Sequence, residues 1–137
     1  MRPETQSWLA QADEDLLTAR VNLEGRRYYA CVFFAQQAAE KALKALFIEV
    51  QRDLPPKGHN LAELARILKT PEEVREAAIE LAPEYLVSRY PDAAVGIPAE
   101  MYTPRSAKVH LEAGERVLEW VKEQIKSAQE LDTPNGV

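Results

Sequence analysis

A chain of 137 residues, 46% hydrophobic and 28% charged, is long enough to bury one core and too apolar to be a disordered segment. Its 17 basic residues are scattered among 22 acidic ones, giving a formal net charge of −5, so duplex DNA is not an expected partner. A lone cysteine, no apolar signal segment and no run of about 20 apolar residues lead us to expect a cytoplasmic protein that is neither exported nor inserted in a membrane.

Two long helices are predicted at the start of the chain. Apolar side chains recur at intervals of three and four from Pro3 to Glu24, which indicates one buried stripe, and Gly25 can end this helix. From about Tyr28 to Gln51, two apolar rows leave only a narrow polar strip, so this helix should be the central one. The strip consists of Gln36, Gln37, Glu40, Lys41 and Lys44. We interpret it first as a solvated face with a Glu40–Lys44 pair, and second as a partner contact.

Prolines and capping residues divide the middle of the chain. The prolines of segment 54–58 force a loop, since proline lacks an amide donor. Asn60 with Glu63 is a capping-box arrangement, which predicts a short helix that runs to about Leu68.

A further helix is predicted from position 70 onward. Thr70 as cap, Pro71 in the first turn and Glu73 as capping-box acid mark its start. Pro83 lies inside it, so we expect a kink or a break there.

The last third of the chain contains a long loop and one more helix. Periodicity disappears between Arg89 and Tyr102, and loops of that length tend to be functional or mobile. The last helix opens at Thr103-Pro104, and residues 132–137 are predicted to form a flexible tail. With no strand pattern in the sequence, we predict an all-α, up-and-down antiparallel bundle of four long helices plus a short one, forming a single domain over residues 1–131.

The most pointed chemical feature is the spacing of Arg105 and His110 in the last helix. Arginine can stabilise the charge of a phosphate and histidine can move a proton at neutral pH, which together suffice for RNA cleavage without a metal. Five helical residues place the two side chains about 140° apart at roughly 100° per residue. They converge only if the helix start is distorted, if the arginine curls back, or if two copies meet. The alternative is that both residues are structural.

A second set of polar residues suggests a binding site. We expect Arg89 and Asp92, in the long loop, to line a cleft with Lys41 or Lys44 and to recognise an anionic group. His59 is a further candidate ligand residue. Alternatively, Arg89 caps the preceding helix, and His59 bonds nearby backbone groups at a helix start. The sequence has neither a glycine-rich phosphate loop nor a zinc spacing, so no cofactor or metal is expected.

Several of these motifs occur together in one known family. The block Gln36-Gln-Ala-Ala-Glu-Lys-Ala-Leu-Lys44, followed by Gly58-His-Asn-Leu61 and Arg89-Tyr-Pro-Asp92, resembles the HEPN family, in its branch with the Arg-Tyr-Pro-Asp motif. The resemblance implies a helical bundle that is commonly dimeric and often encoded beside a minimal nucleotidyltransferase. Catalytic members are RNases that act as toxins or in defence.

The same resemblance bears on the two candidate catalytic residues. Catalytic members carry an Arg-x4-6-His motif, which Arg105, Ser106 and His110 fit. Glu112 stands where the toxin branch has a tyrosine, so a partner-modified tyrosine is not expected.

Three functions therefore stay open from sequence. The favoured hypothesis is a module that binds a nucleotide or a minimal nucleotidyltransferase partner in a toxin–antitoxin-like pair. The alternatives are a metal-independent RNase and a non-catalytic structural adaptor. A homodimer or higher homo-oligomer is expected in each case, through faces of the second and last helices, because a helix that is apolar over two rows needs more cover than four helices give one another.

Overall fold

The protein, seen in a computed structural model that describes residues 1–131, is helical along most of its length. The long helices are α1 (Pro3–Glu24), α2 (Tyr28–Gln51) and α7 (Pro104–Leu131). Between α2 and α7 lie α3 (Leu61–Ile67), α4 (Glu72–Leu81), α5 (Glu84–Val87), α6 (Pro91–Ala94) and a 3-10 helix (Pro98–Glu100). The predicted tail lies outside the described residues. No strand occurs within residues 1–131, so the all-α prediction is confirmed.

Cross-helix contacts show how the long helices run. As the residue number rises along α1, the number of the partner residue on α2 or α7 falls, so α1 is antiparallel to both. The pairs are Arg2–Glu49 and Asp15–Lys41 between α1 and α2, and Asp13–Lys122 and Arg20–Glu115 between α1 and α7. The up-and-down bundle predicted from sequence is therefore observed.

Helix α2 is the centre of the core, as predicted. It packs against α1, α3, α4, α5 and α7, and most of its apolar rows are buried, with Ala30 and Phe34 partly exposed. The polar strip is not a solvated face, because Gln36, Glu40 and Lys44 are buried. The predicted Glu40–Lys44 pair does form, with 3.3 Å between its charged atoms. The homodimer stays a prediction. The argument for it assumed that the apolar rows of α2 are uncovered, but this chain's own helices cover most of them.

Helices α2 and α7 approach each other backbone to backbone. A Cβ atom added at Gly114 would lie 3.0 Å from the carbonyl oxygen of Ala35, closer than such atoms normally come. One turn of α2 earlier, the buried Cys31 places its Sγ 3.8 Å from the carbonyl oxygen of Ala107. Burial, with a contribution from the Glu115 carboxylate, raises the pKa of the Cys31 thiol to about 11.

The starts of α3 and α4 test two predicted caps. Asn60 caps α3, since its side chain accepts a hydrogen bond from the backbone N–H of Glu63 at 3.1 Å. The predicted Thr70 cap is wrong: the N-cap of α4 is Pro71, and the Thr70 hydroxyl donates back to the carbonyl of Ala65 at 3.3 Å. The acceptor of this hydroxyl belongs to α3, the preceding helix, so the pattern of the α4 segment alone does not reveal the bond.

The region from position 70 to 102 is more divided than predicted. The break expected at Pro83 is present, because α4 ends at Leu81 and α5 begins at Glu84. Helix α4 is therefore shorter than α1, α2 and α7. The segment from Arg89 to Tyr102, predicted as a loop, contains α6 and the 3-10 helix, which are too short to produce a periodic pattern.

Candidate functional site

Five residues form one connected group at the side of α2, which we call the His59 cluster: Glu40, Lys44, His59, Tyr85 and Arg89. Glu40 is buried on α2, and both of its carboxylate oxygens accept from Nδ1 of His59, at 2.9 and 3.1 Å. Lys44, one turn later, places its Nζ 3.3 Å from the same carboxylate and 3.0 Å from the carbonyl oxygen of Gly58. A buried carboxylate thus holds both the lysine and the histidine.

His59 is held in one orientation by two contacts. Nδ1 is bound to Glu40, and the imidazole lies flat on the ring of Tyr85, with 3.6 Å between centroids and 13° between planes. Its side chain is 41% exposed, and Nε2 has no hydrogen-bond partner among the described residues. Binding of one imidazole nitrogen to a carboxylate fixes the ring and leaves the other nitrogen directed elsewhere. The ring is therefore positioned, and its outer nitrogen is available to a ligand.

Arg89 lies beside the same tyrosine. Its Nε donates to the carbonyl oxygen of Tyr85 at 2.9 Å, so the predicted capping role is present. The guanidinium carbon lies 4.3 Å from the ring centroid of Tyr85, 4.7 Å from that of Tyr90 and 4.8 Å from that of Phe33. No partner for its terminal nitrogens occurs within residues 1–131. Three rings thus hold a cation that keeps two amino groups unpaired.

The other two predicted ligand residues lie apart from this group. Lys41 pairs with Asp15 of α1, which also accepts from Gln11 at 2.9 Å. Asp92 is exposed in the single turn of α6. The cleft expected between Arg89 and Lys41 or Lys44 stays a prediction. Among the described residues, Lys44 is connected to Arg89 through Glu40, His59 and Tyr85 and not by a direct contact.

A second group, which we call the His110 cluster, consists of Glu80, Glu84, Tyr102 and His110. Nδ1 of His110 donates to the carbonyl oxygen of Ser106 at 2.7 Å. Nε2 lies 3.6 Å from a carboxylate oxygen of Glu84 and 3.7 Å from one of Glu80. The Tyr102 hydroxyl donates to the other oxygen of Glu84, and its ring meets the imidazole edge-on at 6.2 Å.

The His110 cluster favours the charged imidazole. Burial by itself lowers the pKa of His110, but the Glu84 carboxylate, the hydrogen bond to Ser106 and the charge of Glu80 outweigh it, so the pKa is raised above its usual value. The pKa of Tyr102 is also raised, by burial and by the adjacent Glu84. His110 is therefore protonated over a wider pH range than an ordinary histidine, and Tyr102 stays a donor.

Arg105 and His110 line the same open pocket, of about 290 Å³, together with Glu80. The spacing predicted side chains that point apart, but the pocket at the start of α7 is wide enough for both to reach it. Arg105 is exposed and has no hydrogen bond or ion pair within the described part of the chain. The pocket thus holds two cationic groups and one exposed carboxylate.

Sequence reasoning missed the residues that connect these groups. The sequence pattern gave no functional role to Tyr85, Glu80 or Glu84. The only local signal was the position of Glu84 directly after Pro83, where a carboxylate favours a helix start. Neither the burial of Glu84 nor the stacking of Tyr85 on His59 follows from local pattern, because the partners Tyr102, His110 and His59 lie 18 to 26 residues away.

The described residues contain neither a metal-binding group nor a membrane-spanning helix. Within positions 1–131, no three His, Cys, Asp or Glu side chains are placed to hold a metal ion together. No helix in that range is both long enough and apolar enough to cross a membrane.

Comparison with known families identifies the class. The HEPN domain model matches residues 5–124, and this chain belongs to the HEPN family. The family expected from the sequence is thus confirmed, and the branch with the Arg-Tyr-Pro-Asp motif stays a prediction.

Three relatives bear on fold and function. The crystal structure of TT1696 from Thermus thermophilus is 35% identical with a TM-score of 0.81, over 90% of this chain and 99% of that one. ST0689, described as an archaeal HEPN homologue, is 36% identical with a TM-score of 0.78, over 91% and 99%. A protein of Methanocaldococcus jannaschii named "Putative toxin MJ1304" is 29% identical over 133 residues, which cover 87% of this chain and 86% of that one.

Proposed function

We propose that this chain is a HEPN binding module that recognises the phosphate groups of a nucleotide at the His59 cluster. The observation that carries the proposal is the arrangement of His59 and Arg89, which both contact Tyr85. Both side chains are fixed by protein contacts. Arg89 keeps terminal donor nitrogens that are not used within the described residues, and Nε2 of His59, a donor when the imidazole is protonated, is also unused there.

The chemistry of the two side chains suits a phosphate. Arginine offers a planar fork of donors that matches phosphate oxygens, and a charged hydrogen bond is stronger than a neutral one. Because rings and backbone already hold His59 and Arg89, little side-chain entropy is lost when a ligand binds. Tyr90, 45% exposed beside the guanidinium, offers a ring face to a nucleobase.

Nucleotide titration tests this proposal directly. Calorimetry with ATP should show binding by the unaltered chain, and Arg89→Ala and His59→Ala should each weaken it about tenfold or more, as expected for a lost charged hydrogen bond. Arg116→Ala is the matched control, since Arg116 is exposed on α7 and outside both clusters. Arg89→Lys should bind more weakly than the unaltered chain, because it keeps the charge and loses the fork.

The result that contradicts the proposal is equally clear. If Arg89→Ala binds ATP as the unaltered chain does but melts at a lower temperature, Arg89 is a helix cap and the structural-adaptor alternative is favoured. Absence of ATP binding at millimolar concentration would also reject a nucleotide site.

A partner protein is the second part of the proposed function. The name of MJ1304 and the family resemblance support a toxin–antitoxin-like pair in which this chain associates with a minimal nucleotidyltransferase. Large apolar side chains are exposed along residues 86–101, the segment that contains Arg89, and a partner would cover them. They are Leu86, Val95, Ile97 and Met101, between 50% and 90% exposed.

Affinity purification from the native cell tests the pair. A tagged chain should retain a nucleotidyltransferase in near-equal amount, and Ile97→Asp should release it, whereas Val21→Asp, on the exposed side of α1, should not. Recovery of the tagged chain alone, or equal recovery of the partner with both variants, would reject this association.

The RNase alternative rests on a separate observation, the shared pocket of Arg105 and His110. His110 would act as a general acid, because the carboxylates favour its protonated form, and Arg105 would hold the phosphate. In a chelator, RNA cleavage should fall about 10²–10⁴-fold in His110→Ala, and Arg105→Ala should also reduce it. No cleavage by the unaltered chain, or equal cleavage by all three, would remove the enzyme hypothesis.

Sedimentation of the same samples would test the homodimer, which a purely monomeric result would contradict.

A further inference from the structure

The two clusters meet in α5, a helix of only four residues. Glu84 belongs to the His110 cluster, and the next residue, Tyr85, belongs to the His59 cluster. A single turn of helix does not hold its own shape in water, because nucleation is unfavourable. The position of α5 therefore depends on contacts to the rest of the molecule, and two of the most specific are to the two histidines of the chain.

Glu84 is the anchor on one side. It is buried, its carboxylate accepts from the Tyr102 hydroxyl, and it faces Nε2 of His110 at 3.6 Å. Its backbone carbonyl accepts from the hydroxyl of the buried Ser88. Any movement of Glu84 carries the adjacent Tyr85, and with it the ring that His59 and Arg89 contact.

We propose that His110 is a positioning residue for the His59 cluster. Its charged imidazole holds Glu84, and Glu84 holds α5 so that Tyr85 keeps its contacts with His59 and Arg89, which form the nucleotide site. This inference rests on the proposed nucleotide binding and adds its regulation by pH. The charged or titratable groups that face His110 come from every element packed around it. They are Glu80 from α4, Glu84 from α5, Tyr102 from the segment before α7, and Arg105 from α7 itself.

Loss of the proton from His110 changes the balance in this cluster. Glu80 and Glu84 then lose the cation that lies between them, and Glu84 keeps only the Tyr102 hydroxyl as a side-chain donor among the described residues. Repulsion between the carboxylates, no longer offset, favours displacement of α5 toward solvent. The site at His59 and Arg89 is then present in a smaller fraction of molecules, and the apparent affinity falls by that fraction.

The first experiment needs no ligand. In protein labelled with ¹³C at tyrosine and histidine rings, the Tyr85 signals should shift with pH at the midpoint read from the His110 ring itself. That inflection should vanish in His110→Gln and in Glu84→Gln, and should persist in Lys108→Gln, which changes an exposed residue in the first turns of α7. Tyr85 signals that are the same in the unaltered chain and in both variants would overturn the inference, whatever the chain binds.

The second experiment measures ATP affinity against pH. The unaltered chain should bind about fivefold or more tightly than His110→Gln at pH 6, in the range of ordinary coupling between sites, and the ratio should approach one as the pH rises through the pKa of His110. His59 and the phosphates titrate in both proteins, so the ratio isolates His110. His110→Lys, which keeps a cation, should bind tightly across the range.

The outcomes separate this inference from the function on which it rests. A Tyr85 inflection without ATP binding would reject the nucleotide site and leave the positioning role of His110 supported. ATP binding with an affinity ratio that stays constant with pH would support the site and overturn the positioning role. Melting curves recorded in parallel exclude loss of folding as the reason for either result.

Discussion

The two histidines of this chain have opposite surroundings. His59 has one nitrogen bound to a buried carboxylate, and its side chain is 41% exposed. His110 has a side chain only 10% exposed, with one nitrogen on a backbone carbonyl and the other facing two carboxylates. A histidine with a free, oriented nitrogen is suited to meet a ligand, whereas one with both nitrogens engaged is suited to hold other groups in place. The comparison shows that the spacing of a motif, as at Arg105 and His110, does not tell whether the histidine nitrogens are free to contact a ligand.

The first prediction concerns the buried carboxylate that orients His59. Glu40→Ala leaves the Lys44 ammonium buried without its carboxylate, so the free energy of unfolding should fall by about 3–5 kcal/mol. Glu63→Ala is the control, because its ion pair with Arg66 is exposed to solvent and its loss should lower the free energy of unfolding far less than the loss of Glu40. Urea denaturation measures both. A loss below roughly 1 kcal/mol for Glu40→Ala would mean that Lys44 finds water or another acceptor.

The second prediction uses pH to separate the two histidines. Because the folded state raises the pKa of His110, its charged form stabilises the fold fully below the usual value of 6.5, and this stability is lost as the pH rises through the raised pKa. His110→Gln should therefore cost about 2 kcal/mol at pH 6, as for a lost charged hydrogen bond, and less at pH 9. Melting temperatures of both proteins across this range give the measurement. A cost that grows with pH would reverse the assignment.

The third prediction weakens the His110 cluster by one hydroxyl. Tyr102→Phe removes the donor to Glu84 but keeps the ring against His110, so the loss in stability should be about 1 kcal/mol. Tyr29→Phe, which removes a hydroxyl on α2 for which the structure gives no hydrogen bond within residues 1–131, serves as the control. Denaturation curves that coincide for Tyr102→Phe and the unaltered chain would show that water replaces the hydroxyl at Glu84.

The smallest effect is expected at Arg105. The side chain is exposed and has no partner within the described residues, so Arg105→Ala should change the free energy of unfolding by less than about 0.5 kcal/mol. A larger loss, measured by the same urea titration, would mean that Arg105 stabilises the folded structure around the pocket. Arg105 would then no longer be considered a free phosphate-binding group.

Most of the fold could be predicted from sequence because its signals are local. The bounds of α1 and α2, the Asn60 cap and the break at Pro83 each follow from residues within a few positions of one another. The missed elements, α6 and the 3-10 helix, span about one helical turn, too short for an apolar pattern to repeat. The Thr70 error has a different cause, since the acceptor for its hydroxyl belongs to the previous helix.

The candidate sites were less accessible from sequence for the same physical reason. His59, Arg89 and His110 could be selected because their residue types are chemically distinctive. Their partners could not, because Glu84 and Tyr85 have ordinary helix-compatible side chains whose roles depend on the packing of α5 against α2 and α7. The buried state of Gln36, Glu40 and Lys44 likewise depends on elements that cover α2 from outside its own segment.

Because Gly114 and Ala35 approach closely, α2 and α7 should open to solvent in a different way from α5. At a spacing of 3.0 Å to a hypothetical Cβ, the backbones of α2 and α7 leave no room for water between them. Amide protons on these two helices near the contact should exchange with solvent only when the whole chain unfolds, whereas those of α5 should exchange through small local openings. Protonation or ligand binding at the two clusters can thus move α5 while α2 and α7 stay packed against each other.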